Sequence, residues 1–112
     1  MNVELIYDAD CPNVPSTRLV LMEAFARVGL SPVWVERERG DQANPGYVLR
    51  SGSPSILVNG RDVCGAPPGQ VAASCRVYVD ENGVIRTSPS VGTVEAALLA
   101  SQSLESAKGE KS

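Results

Sequence analysis

The reactive chemistry open to this 112-residue chain centres on three cysteines, Cys11, Cys64 and Cys75, and it contains no histidine. Without an imidazole, Ser-His-Asp and Cys-His catalysis and every His-ligated metal site are excluded. Cys11 opens the run Cys11-Pro12-Asn13-Val14, with valine where a redox pair places its second cysteine. It therefore cannot close a disulfide across one helical turn. What remains is monothiol chemistry: a thiolate attacks a mixed disulfide and a second thiol, or a more distant cysteine, releases it. Thiolates also select soft ions such as Cu(I), Zn or Hg-like ions over hard cations. Cys11, Cys64 and Cys75 are the candidate ligands for that, although no Cys-x-x-Cys spacing preforms a site. The bland alternative is a Cys11 that serves only as a small buried hydrophobe.

The elements that position Cys11 are legible around it. Val3-Glu4-Leu5-Ile6-Tyr7 reads as a buried strand. Residues 8–15, rich in Asp, Pro and Asn, form a turn. A helix is expected from 15 or 16 to 28, with Leu19, Met22, Phe25 and Ala26 on its inner face and Gly29 as its C-cap. A second strand over 32–36 carries Trp34 into the core and completes a βαβ unit, which makes the two strands parallel. Cys11 then sits at a strand-to-helix turn, where the helix amides favour the thiolate. Arg18 adds to that effect, and Asp8 and Asp10 oppose it. Arg37-Glu38-Arg39 reads as a solvated face within a polar loop over 37–51, with one short helical stretch at 45–50.

Pro54 opens a third strand over 55–58, and Asn59-Gly60 then marks a type I′ hairpin turn. The returning strand, 61–64, brings Cys64 to the same end as Cys11 at a separation of two strands, ~10 Å. A disulfide needs Cα atoms within ~7 Å, so that pair bonds only if the loop bends inward. Cys75, beyond a Pro-Pro-Gly loop over 65–74, has more freedom to approach either. A second hairpin pairs 76–79 with 84–86 across Asp80-Glu81-Asn82-Gly83, and a final helix over 91–101 turns Val94, Ala97 and Leu98 inward. The domain thus spans 1–101, and the small polar residues of 102–112 are expected to be a disordered tail.

This order, with a cysteine at the first strand-helix turn and a proline opening the third strand, resembles the thioredoxin and glutaredoxin superfamily over about 3–99. It resembles more loosely the small thioredoxin-like proteins found beside organomercurial-resistance enzymes. The fold this implies is thioredoxin-like α/β, βαβ-ββ-α, with an extra hairpin before the last helix. In that family the proline at Pro54 is cis and faces the cysteine, so Cys11 is the implied nucleophile. Ser53 and Pro54 are the implied ligand-binding positions, with the Ser53 backbone pairing with a bound peptide or glutathione. The chain departs from the family at Val14, at Asp10 before the cysteine, at Cys64 in place of the first paired glycine, and at Ala66 and Pro67, where glutathione-holding residues stand. No bound cofactor is implied. Besides thiol-disulfide exchange or soft-metal handling, a non-catalytic module binding a protein or peptide in the Cys11–Pro54 groove fits these residues.

Composition bounds the remainder. A chain this long makes one domain with one core. With five aromatics the core must be mostly aliphatic. The net charge is −3 with no basic cluster, which argues against nucleic acid as a partner. No apolar run nears the ~20 residues of a membrane span, and no signal-peptide pattern opens the chain. The expected setting is the reducing cytoplasm, consistent with an odd number of cysteines.

Overall fold

A computed structural model describes residues 1–48, 51–65 and 78–110. The first βαβ unit forms as its apolar pattern dictates. Strand β1 (Val3–Tyr7) leads through a turn into helix α1 (Val14–Arg27) and then strand β2 (Val35–Glu38), which pairs parallel with β1. Strand β3 (Ser55–Val58) pairs antiparallel with the other edge of β1, and β4 (Arg61–Asp62) pairs antiparallel with β3. The four-stranded sheet has the order β2-β1-β3-β4. A separate two-stranded ribbon, β5 (Tyr78–Val79) with β6 (Ile85–Arg86), precedes helix α2 (Val91–Glu110). The described residues are therefore mixed α/β, with a four-stranded sheet and two α-helices. No helix among the described residues is long and apolar enough to cross a membrane.

Successive strand residues face opposite sides of a sheet, and that alternation makes two cores. On one side Val3, Leu5, Ile56 and Val58 pack with Leu21, Ala24 and Phe25 of α1 and with Val94 and Leu98 of α2. On the other, Ile6 and Leu57 pack with Val48 and Tyr47 from a 3-10 turn, Gly46–Val48. Each fully buried Leu or Ile contributes roughly 1.5–3 kcal/mol from removal of its surface from water.

The turns follow from their residues. Asn59 and Gly60 hold φ of 53° and 81°, the left-handed pair of a type I′ turn. The Asn59 side chain also accepts from the Asn2 amide and donates to the Ser101 hydroxyl, tying the hairpin to the N-terminus and to α2. Gly29, at φ 73°, ends α1. Its N–H reaches the Ala26 carbonyl, and the Leu30 N–H reaches that of Phe25, so two carbonyls of the last helical turn find partners beyond the helix. In the hairpin tip the Asp80 carboxylate accepts from the Asn82 and Val84 amides and from Arg86.

Several expectations need correction. The buried stripe of α1 is Val14, Thr17, Leu21, Ala24 and Phe25, whereas Leu19 and Met22 point outward at 67% and 51% exposure. The helix starts one residue earlier than expected, at Val14, which is buried in the same cluster as Cys11. β2 begins at Val35, so Trp34 precedes the strand and stacks on Phe25 from a half-buried position. Arg37 and Arg39 are not a solvated face: Arg37 pairs with Glu4 and Arg39 with Asp8. The return strand is only Arg61–Asp62, because Val63 and Cys64 already lie in a turn. Helix α2 runs on to Glu110 through most of the segment expected to be a disordered tail. Leu49 and Arg50, the 66–74 loop, Cys75, and the Arg76 and Val77 of the second hairpin lie outside the described residues.

Candidate functional site

The topology gathers the chemistry at one end of the sheet. β1 ends there, β3 begins there and β4 returns there, so Cys11, Ser53, Pro54 and Cys64 share that end. The Cys11 turn is closed by its own amide, which donates to the Asp8 carbonyl at 3.0 Å. The Asp8 amide in turn donates to the Ser53 hydroxyl at 2.8 Å. One residue therefore joins the cysteine turn to the residue before Pro54. The Ser53–Pro54 peptide is cis, and the Ser55 hydroxyl donates back to the Gly52 carbonyl at 2.6 Å.

Cys11 does not cap α1. The N-cap is Asn13, whose carbonyl takes the Thr17 amide and the Ser16 and Thr17 hydroxyls. Cys11 lies two residues earlier, is 9% exposed, and belongs to the same apolar cluster as Leu5, Val14 and Ile56. The charges expected to act on it are engaged elsewhere. Arg18 turns away to β2, with two 2.8 Å hydrogen bonds to the Glu36 carboxylate and its guanidinium 5.9 Å from the Tyr7 ring centre. Those bonds raise the Arg18 pKa and hold Glu36 below the usual carboxylate range, with the Trp34 indole N–H adding to the second effect. Asp8 is matched by Arg39 at 3.0 Å, and Asp10 is exposed.

Ser53 has no exposed surface and Pro54 is fully buried. The Pro54 carbonyl accepts from the hydroxyl of Tyr78, itself 6% exposed, on β5. The Ser53 backbone, the implied partner of an extended ligand, is thus covered in this conformation. Cys64 is exposed on the turn after β4, where its amide donates to Asp62 at 2.8 Å, and it forms no disulfide with Cys11. Cys75, the third candidate thiol, is outside the described residues. Among the described residues no three Cys, Asp or Glu side chains converge as metal ligands.

Sequence reasoning missed a second polar cluster on the far face of the sheet. Glu4, 1% exposed at the second position of β1, accepts from Arg37 and from the Tyr47 hydroxyl at one oxygen, and from Asn2 at the other. Burial first, and then the bond to Glu4, push the Tyr47 phenol above its ordinary pKa. The signal was a glutamate inside an otherwise apolar strand, which must find partners if it is buried. Nothing in the sequence names those partners. Comparisons with protein-family models, with curated proteins and with solved structures find no match to this chain.

Proposed function

We propose that the chain is a thioredoxin-like domain acting as a monothiol exchange protein through Cys11. The observation that carries this reading is the Asp8 amide bridging the Cys11 turn to Ser53, which fixes the thiol's turn against the segment that opens β3. The parallel β1–β2 pair around α1 and the antiparallel β3–β4 pair support the fold assignment.

The reaction class is thiol-disulfide exchange. The Cys11 thiolate attacks one sulfur of a mixed disulfide, forming a new S–S bond while the other sulfur leaves as a thiolate and takes a proton from water. A second small-molecule thiol then attacks the Cys11 adduct, restores Cys11 and carries off the bound half. The net change is one disulfide exchanged for another, with no oxidant consumed. Val14 removes the route by which a neighbouring cysteine would release the adduct. The reducing cytoplasm is the setting that supplies the second thiol. The soft-metal version needs Cys64 and Cys75 beside Cys11, and nothing described places the three together.

The test is release of glutathione from a glutathionylated peptide in the presence of excess thiol. Cys11→Ser abolishes catalysed release and Cys64→Ser retains it; equal rates for wild type and Cys11→Ser contradict the reading. The low exposure of Cys11 favours a second reading, a binding module that uses the same end of the sheet for a protein or peptide and never exposes the thiol. In that case a cysteine-free variant keeps its partner.

A further inference from the structure

Asp8 is the junction of the candidate site: its carbonyl closes the turn onto Cys11 and its amide reaches Ser53. A turn closed from one residue to the third beyond it holds those two Cα atoms within ~7 Å. The Asp8 carboxylate therefore belongs to the same short turn as the thiol. Arg39, the residue after β2, answers that charge. Its amide is anchored on the Tyr7 carbonyl at 2.8 Å, and its guanidinium lies 3.0 Å from the Asp8 carboxylate. The Arg39 and Asp8 side chains are 13% and 20% exposed, and a pair so withdrawn from water is screened less than a surface pair. Asp10, the other carboxylate of the turn, is exposed, and Arg18 is committed to Glu36. Arg39 thus brings a fixed positive charge to the Cys11 turn.

We propose that Arg39 is a positioning residue of the thiol site: acting through Asp8, it offsets the carboxylate on the Cys11 turn and so lets anionic disulfides approach. The inference rests on the thiol reading of Cys11 and names the substrate class of that same site, disulfides that carry carboxylates, such as glutathione disulfide. An unmatched carboxylate on the turn repels such a substrate; a matched pair does not.

The experiment is alkylation of the full chain by anionic iodoacetate and by neutral iodoacetamide, with Cys11 resolved by peptide mass. Both reagents consume the same thiolate. A looser fold moves the two rates together and cancels in their ratio, whereas a charge beside the thiol does not. One unit charge roughly 8 Å away, near a protein surface, changes that ratio about two- to five-fold. In Arg39→Gln the iodoacetate-to-iodoacetamide ratio at Cys11 should fall by this factor, and it should recover in Arg39→Lys and in the double variant Asp8→Asn, Arg39→Gln. The fall should fade in about 1 M salt, where charges are screened within about 3 Å. Asp8→Asn leaves the guanidinium in place, raises the ratio, and carries the test if Arg39→Gln does not fold. An unchanged ratio in every folded variant overturns the inference. A parallel incubation with glutathione disulfide separates it from the reading beneath it. A shifted ratio without any Cys11 adduct keeps the charge match and discards exchange. An adduct formed at the same rate in wild type and Arg39→Gln, with an unchanged ratio, keeps exchange and discards the role of Arg39. A Cys11 that labels with neither reagent overturns both.

Discussion

Replacing Arg37 with alanine strands a carboxylate. The Glu4 side chain is 1% exposed and that of Arg37 is 30% exposed, so the glutamate cannot turn to water while its partner partly can. Breaking a wholly buried pair costs about 3–5 kcal/mol. A hydrogen bond to a charged group contributes about 1.5–3 kcal/mol. With Arg37 partly hydrated, and with the Tyr47 hydroxyl still donating to Glu4, the lower range applies, and Arg37→Ala should cost about 2–3 kcal/mol. The unfolding entropy, about 2.1 cal/mol/K per residue, over 112 residues converts this to a fall in Tm of about 9–13 °C. The assay is thermal and urea unfolding by circular dichroism. The decisive arm is the cycle with Glu4→Gln. Removing the charge in the Arg37→Ala background recovers about 1.5 kcal/mol relative to the sum of the single changes, because no stranded carboxylate is left. If the two substitutions add to within about 0.5 kcal/mol, the limit for independent sites, the cluster is not a coupled buried pair and the reasoning fails.

Three further predictions follow from the packing and the titrating groups. Leu21→Ala should cost about 2–5 kcal/mol by leaving a cavity between α1 and the sheet, whereas Leu19→Ala should stay within about 0.5 kcal/mol; urea midpoints of the two variants decide the rotation of the helix. Because the Arg18 bonds lower the Glu36 pKa, the stability they contribute is present above the unfolded carboxylate value, roughly 4.3, and is lost as pH falls through the folded value. Both groups are partly exposed, so the difference between wild type and Arg18→Ala is under about 1 kcal/mol at neutral pH; it should vanish on acidification and shrink in high salt. Tyr47 has the opposite sign: burial raises its pKa, so its stabilisation relative to Tyr47→Phe is intact below the unfolded phenol value, about 10, and fades as pH climbs through the folded value. Tyrosinate absorbance followed together with unfolding checks the order of those events.

The sequence was most informative where a local rule leaves one outcome. Asn59-Gly60 admits a type I′ turn, Gly29 stops α1, and a strand, a helix and a strand close together make a parallel pair. It was least informative where partners come from far along the chain. The outward rotation of Leu19 and Met22 depends on which stripe of α1 the sheet and α2 bury together, and the apolar residues of the helix permit more than one stripe. Arg37 and Arg39 read as surface because their spacing matches a solvated face, but the carboxylates of Glu4 and Asp8 stand one strand away. At the candidate site, the cysteine turn and Pro54 were legible by type and order. The Asp8–Ser53 bridge and the Tyr78–Pro54 hydrogen bond were not, since each spans a separation that no local pattern encodes.

The most direct test of the central claim is to incubate the reduced chain with glutathione disulfide and map the adduct by peptide mass. The account predicts glutathione on Cys11, removed again by added thiol. Adduct confined to exposed Cys64, with Cys11 untouched, would contradict it and leave Cys11 as a core residue of a binding domain.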